Sequence, residues 1–311
     1  MRLFLSILAL LIFSNQIFTQ TTAEKSRQFD FWVGEWDVNL RVQQADKTWR
    51  DQHKSVARIY SILDGKAILE LWSESKEGIN GYSLRYFNPQ KNKWDLWLNW
   101  AGKNRSGTNG LDGEFRHGRG EFFFEQPLPG NMMQIARYTF SDITPDSLRW
   151  DDAYSRDGGK TWAGNWIMEF TRRALQAPPI GSEKKLHTYF DGTRCDLPQF
   201  NALKELSANQ PDKPEFRLYN ILDGCIVIGF IEKKKRKSFF SLTFNTFANL
   251  YELAFLDDRD QSALALFYGQ KTSDGFALKS KDGKENAVIK AGKKIDSLEI
   301  DYEGDKEKFG F

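Results

Sequence analysis

Four charged residues sit among aromatic and apolar residues in stretches that could line a cavity. They are Glu70 in "AILELW", Arg85 in "GYSLRYF", Arg137 in "QIARYTF" and Glu169 in "WIMEF". In extended chain, side chains two residues apart share a face. Glu70 then shares a face with Trp72, and Trp97 with Asn99, on adjacent strands that also carry Arg85. Aromatic and polar residues alternating in this way suit the wall of a ligand cavity, to which Arg137 and Glu169 would add charge from later strands. A buried arginine or glutamate is costly unless paired, so charges at such places require partners or a ligand. The opposite assignment, with this face outward and ordinarily amphipathic, stays open from sequence. So does a catalytic reading, a hydrolase or isomerase working through Glu70 or Glu169 with Arg137.

Other chemistry is thin. The histidines are His53, His117 and His187. With no H-E-x-x-H, no paired-cysteine motif and no Asp-rich calcium loop, neither a metal nor a cofactor is expected. Cys195 and Cys225 are the two cysteines; spacing alone leaves open whether they form a disulfide. "SRDGGKTW" (155–162) fits S-x-D-x-G-x-T-W, the Asp box of sialidase propellers. A propeller carries several boxes at blade-length intervals, and this chain has one, so a local hairpin staple is the expected role. Asp157 would accept bonds from the turn's own N–H groups, Gly158 and Gly159 would supply positive φ, and Trp162 would cover the turn. The basic run "EKKKRKS" (232–238) reads as a solvated hairpin tip, and a net charge of +2 gives no general pull toward nucleic acid or anionic membrane.

Strands must position all of this. "WDVNLRV" alternates Trp36, Val38, Leu40 and Val42 with Asp37, Asn39 and Arg41. "KWDLWLNW" sets Trp94, Leu96, Leu98 and Trp100 opposite Asp95, Trp97 and Asn99. Such runs, separated by "SKEGIN", "NPQKNK" and "RDGGKT", predict antiparallel meanders, roughly eight to ten short strands per half, closed as up-and-down barrels. One helix is expected where Leu197, Phe200, Leu203 and Leu206 recur before Pro211.

The chain also resembles itself. "RIYSILDGKAILEL" (58–71) matches "RLYNILDGCIVIGF" (217–230), and "YFNPQKNKWDLWLNW" (86–100) matches "TFNTFANLYELAFLD" (243–257) with the offset shortened by two residues. "DSLRWDD" (146–152) has a weaker echo in "DSLEIDY" (296–302). The expected organisation is therefore a leader over 1–23, a barrel over 24–174, a linker over 175–184 and a divergent second barrel over 185–311. All ten tryptophans lie between Trp32 and Trp166, which makes the first half the better place for a site. Arg2 followed by "LFLSILALLIF" reads as a signal peptide, too short to span a bilayer, with Thr21–Ala23 offering small residues for cleavage. A secreted or periplasmic protein with no membrane span after cleavage follows as the expectation; oligomeric state does not follow.

The opening "FDFWVGEWDV" (29–38) resembles the start of a calycin-like family of bacterial exported proteins that begin F-D-F-hydrophobic-x-G-x-W. "ILDGKAILELW", "GYSLRYFNPQKNKW", the Arg137-Tyr-Thr139-Phe140 run and "SRDGGKTW" extend the resemblance over residues 28–174. It implies an all-β chain of two tandem calycin-like barrels, the second matched only through its kinship with the first. Gly34-x-Trp36 is also similar to the G-x-W of lipocalins. That similarity implies a tight entry at Gly34 and a barrel-closing Trp36 stacked with Arg172 or Arg173 of the last strand. Related haem-binding barrels, the nitrobindins, need a late-strand histidine, which neither "WIMEFTRR" nor "LEIDYEG" supplies, so haem is not expected. The reading is an exported barrel that binds a small apolar or aromatic molecule or a lipid without covalent chemistry. The alternatives are the carboxylate enzyme above and a structural protein of the cell envelope.

Overall fold

The computed structural model describes residues 20–72, 81–100, 110–180, 197, 215–221, 225–233, 236–245, 248–259, 263–291, 295–302 and 305–310. Residues 1–19 of the expected leader and most of the expected helix lie outside the described residues, while Thr22–Lys25 form a short helix capped by Thr21; Leu197 is buried in the second core.

Ten antiparallel strands form a closed barrel: β1 (Gly34–Gln43), β2 (Trp49–Ile62), β3 (Ala67–Trp72), β4 (Gly81–Asn88), β5 (Lys93–Trp100), β6 (Leu111–Arg116), β7 (Arg119–Leu128), β8 (Met132–Ser141), β9 (Ser147–Ser155) and β10 (Ala163–Ala174). Each strand pairs with its sequence neighbours, and β1 closes the ring on β10, with Trp36 opposite Arg172 and Val38 opposite Phe170. Closure leaves no strand edge exposed.

A second sheet runs in sequence order: β11 (Glu215–Ile221), β12 (Ile226–Lys233), β13 (Arg236–Asn245), β14 (Leu250–Asp257), β15 (Ala265–Thr272), β16 (Gly275–Ser280), β17 (Asn286–Ala291), β18 (Ile295–Tyr302) and β19 (Asp305–Gly310). Among the described residues it is a curled half-barrel rather than a ring. The stretch that would correspond to β1 falls before β11, outside the described residues apart from Leu197. Cys225, immediately before β12, is disulfide-bonded.

The matched segments fold alike in detail. In the β4–β5 turn, Asn88 donates to Asp95 at 3.0 Å and accepts from the Gln90 and Lys91 amides. In the β13–β14 turn, Asn245 donates to Glu252 at 2.9 Å and accepts from the Ala248 amide. Asn92 and Asn249 close these two turns with φ of 52° and 54°. Asparagine tolerates that left-handed conformation better than most residues, which explains "NPQKNKW" and "NTFANLY".

Three apolar clusters result. One fills the barrel's closed end, one lines the inner face of the second sheet, and the third joins the two sheets. In the joining cluster Leu69, Leu71, Tyr82, Leu84, Tyr86 and Trp97 meet Ile226, Ile228, Phe239 and Leu256. The Tyr82 and Ser241 hydroxyls hydrogen-bond within it, and burial pushes the Tyr82 phenol above its ordinary range. Strands β3, β4 and β5 are thus covered on both faces.

At the closed end, Gly34 has φ of +133°, and a Cβ there would lie 2.6 Å from the Ala174 carbonyl oxygen and 2.7 Å from Arg172 Nη1. Trp36 is fully buried, donates from Nε1 to the Trp32 carbonyl at 2.7 Å, and lies 4.0 Å beneath the Arg172 guanidinium. Arg172 in turn donates to the Val33 and Phe31 carbonyls at 2.8 and 2.6 Å, while Arg173 pairs with Asp37 at 2.6 Å on the outside. Gly34→Ala should therefore lower stability by about 1–3 kcal/mol, read as a reduced urea midpoint of tryptophan fluorescence.

Candidate site in the first barrel

Strand register decides which charges meet. On β3, Ile68, Glu70 and Trp72 face the interior; on β4, Ser83 and Arg85 do, with Glu70 opposite Ser83 and Ile68 opposite Arg85. Ser83 donates to Glu70 Oε2 at 2.6 Å, Arg85 Nη1 reaches the same oxygen at 3.3 Å, and Arg85 Nη1 also donates to the Ser83 hydroxyl. Glu70 is 6% and Arg85 3% exposed, so this is a buried pair whose members need each other. Burial lowers the Arg85 pKa from the ordinary arginine value, and the Glu70 charge opposes that shift.

Arg85 rests on aromatic rings, 4.1 Å from the Trp32 ring centroid and 5.5 Å from that of Phe140. Beneath it the segment before β1 enters the barrel. Phe29 makes edge contacts to Trp94, Phe115 and Phe140 at 4.8, 4.9 and 5.2 Å, the favoured geometry for aromatic pairs. The closed half of the barrel is therefore solid, and the Glu70–Ser83–Arg85 group forms its floor. Two donors in this group, Arg85 Nε and the Trp32 Nε1 that lies against it, are buried and meet no acceptor among the described residues. Buried donors are nearly always satisfied, so an unmatched pair invites an acceptor from outside the protein.

Above the floor the inward-facing side chains are less deeply buried. Trp72, Leu98, Phe124, Tyr138, Trp166 and Met168 face inward yet remain partly exposed, so solvent reaches past them. Asp152, opposite Tyr138 and Trp166, is held at 2.9 Å by Asn165. The lining is aromatic and apolar, with polar groups at the floor and one wall.

The structure separates the other candidates from this chamber. Trp97 and Asn99 are buried on the opposite face of β5, toward the second sheet, with Trp97 in the joining cluster. The reason is simple alternation: Trp94, Leu96 and Leu98 take the interior, and the second sheet, not water, covers the other side. Arg137 points outward, since Tyr138 and Phe140 take the interior; it lies 4.2 Å from the Trp162 ring centroid and 4.0 Å from Glu121. Glu169 is exposed between inward-facing Met168 and Phe170 and pairs with Arg41 at 3.5 Å. The carboxylate–Arg137 constellation of the catalytic reading is therefore not assembled. Sequence reading missed the floor aromatics Phe29 and Trp32, the bridging Ser83, and Tyr138. The aromatic density of "FDFW" and the i, i+2 relation of Ser83 to Arg85 were the available signals.

The Asp box is a self-contained turn on the outer wall. Asp157 accepts from the Thr161 amide at 2.9 Å, the Thr161 hydroxyl at 2.6 Å, the Ser155 hydroxyl at 2.7 Å and the Lys160 amide at 3.1 Å. Gly158 and Gly159 have φ of 71° and 85°, and Trp162 donates to the Gly159 carbonyl at 3.1 Å. Led by the Thr161 hydroxyl, these donors hold the carboxyl down at about 2. Because the folded pKa is depressed, the turn's support is complete above the ordinary aspartate range and is lost as pH falls through about 2. Asp157→Ala should speed amide exchange at Lys160 and Thr161 severalfold while leaving the urea midpoint nearly unchanged.

The fold is a closed antiparallel β-barrel with an aromatic core, backed by a second β-sheet. No protein family model matches the sequence, and no curated protein matches it. Among solved structures the chain is similar to an S-type phycobiliprotein lyase from Guillardia theta, with 14% identity and a TM-score of 0.31, over 50% of this chain and 98% of that one. Among the described residues no group of three or more metal-ligating side chains occurs, and no helix is long and apolar enough to cross a membrane.

Proposed function

We propose that this chain is an exported small-molecule-binding protein whose first barrel takes a largely apolar or aromatic ligand carrying an acceptor oxygen. The observation that carries the reading is the pair of buried donors without an acceptor among the described residues, Arg85 Nε and Trp32 Nε1, beneath inward-facing aromatic and apolar side chains that are partly exposed. Apolar walls would supply affinity and the floor would fix orientation, the usual division of labour in ligand pockets. Export rests on the leader-like N-terminus. The two-unit organisation, 24–174 and 185–311 about a linker, rests on the matched segments and their shared asparagine turns. Binding rather than catalysis is favoured because Arg137 and Glu169 stand outside the barrel.

The neutral naphthalene ketone prodan tests this. It should bind saturably at one site per chain with a blue-shifted emission and quench tryptophan fluorescence. Leu98→Trp, which fills the chamber, should abolish binding while changing stability by no more than about 1 kcal/mol; overpacking a solid core would instead cost about 1–3 kcal/mol. Absence of saturable binding, or binding indifferent to Leu98→Trp, would refute the assignment.

A further inference from the structure

A second concavity lies outside the barrel, at the margin of the joining cluster. It has a volume of about 560 Å³, within the range of small-molecule sites. Its apolar walls come from both halves: Tyr60 and Ile62 of β2, Ile180 after β10, and Tyr219 and Phe230 of the second sheet. Tyr60 and Tyr219 occupy corresponding places in the two matched segments, so equivalent strand ends frame the crevice.

Its charge is unevenly satisfied. Arg27, Arg217 and Lys237 line it together with Asp64 and Glu232. Lys237 pairs with Asp64 at 2.6 Å and Arg27 with Asp30 at 2.6 Å. Arg217 is exposed, makes no ion pair among the described residues, and stands 5.4 Å from the Phe230 ring centroid.

The rim is built from unusual backbone. Leu63, Asp64 and Gly65 are three consecutive left-handed residues, with φ of 51°, 55° and 85°. A Cβ at Gly65 would come within 2.0 Å of Arg27 Nη1, so the glycine lets that guanidinium lie against the turn. Non-glycine residues held at positive φ persist only where surrounding structure fixes them, and such turns concentrate at ligand clamps.

From this geometry we infer a second binding site, for an amphipathic organic anion whose apolar body lies between Tyr60, Ile180 and Tyr219 and whose anionic group meets Arg217 and Lys237. Opposite charge at a partly open rim would draw the ligand in and orient it, and salt would weaken the attraction. The site is independent of the barrel chamber.

The probe is 8-anilinonaphthalene-1-sulfonate, titrated into the full chain by calorimetry and fluorescence. In the Leu98→Trp background, where the barrel is closed to the probe, one saturable site is expected, weakened at least tenfold by Arg217→Glu and at least threefold by Arg217→Gln, a milder change that retains the fold should the charge reversal not. Its affinity should fall between 50 and 500 mM KCl, and the uncharged analogue N-phenyl-1-naphthylamine should bind at least tenfold more weakly here. Leu98→Trp should leave the sulfonate's affinity unchanged. Affinity indifferent to both Arg217 variants, equal for the uncharged analogue, or lost in Leu98→Trp would overturn the inference. The last result would place the probe in the barrel.

Discussion

Arg85→Met should destabilise the barrel by about 3–5 kcal/mol, because it leaves the Glu70 carboxylate buried with Ser83 as its remaining partner in that group. It also removes the guanidinium stacked 4.1 Å from the Trp32 ring centroid. At about 2–4 °C per kcal/mol for a domain of this size, Tm should drop by roughly 10 °C. The double variant Glu70→Gln/Arg85→Met should recover most of the loss, since no charge is then stranded. Tryptophan fluorescence suits the measurement: every tryptophan lies in the first half, so the signal reports the barrel and, through Trp97, its joint with the second sheet. Additive single-variant losses would mean that the two charges do not depend on each other.

Leu84→Asp should have a comparable effect by a different route. Leu84 is fully buried on the outer face of β4, inside the cluster joining barrel and second sheet. An aspartate there meets neither water nor a cation within that cluster, a penalty of several kcal/mol. In the unaltered protein the shared cluster should make both sheets unfold together, so that tryptophan fluorescence and far-UV circular dichroism trace one urea transition. In Leu84→Asp the transitions should separate, the dichroism retaining a component that fluorescence does not report. A single coincident transition in the variant would show that the two sheets are coupled by something other than this interface.

How much of this the sequence carried depended on what covers each face. "WDVNLRV" is legible because β1 has core on one side and solvent on the other. "KWDLWLNW" misleads because β5 has core on both sides; alternation separates two faces but does not say whether water or a neighbouring sheet lies beyond. Trp97 and Asn99 read as cavity residues for that reason, while Glu70 and Arg85 do share the interior through the β3–β4 register. Arg137 reads as an interior charge because aromatics surround it in sequence, yet the ring it meets in space, Trp162, is delivered by the Asp-box turn on the outer wall. That turn is readable because the bonds Asp157 accepts are all local. The aromatic plug is not, because Phe29 finds its partners on β5, β6 and β8, far along the chain.

The most direct test of the barrel site is the Arg85 Nε–H resonance in a 1H–15N spectrum, recorded with and without saturating prodan and assigned by its absence in Arg85→Met. If a ligand's acceptor oxygen completes the floor, the resonance shifts downfield and its exchange with water slows on binding, and neither change occurs in Leu98→Trp. A resonance unmoved by saturating prodan would contradict the assignment of the chamber as the binding site.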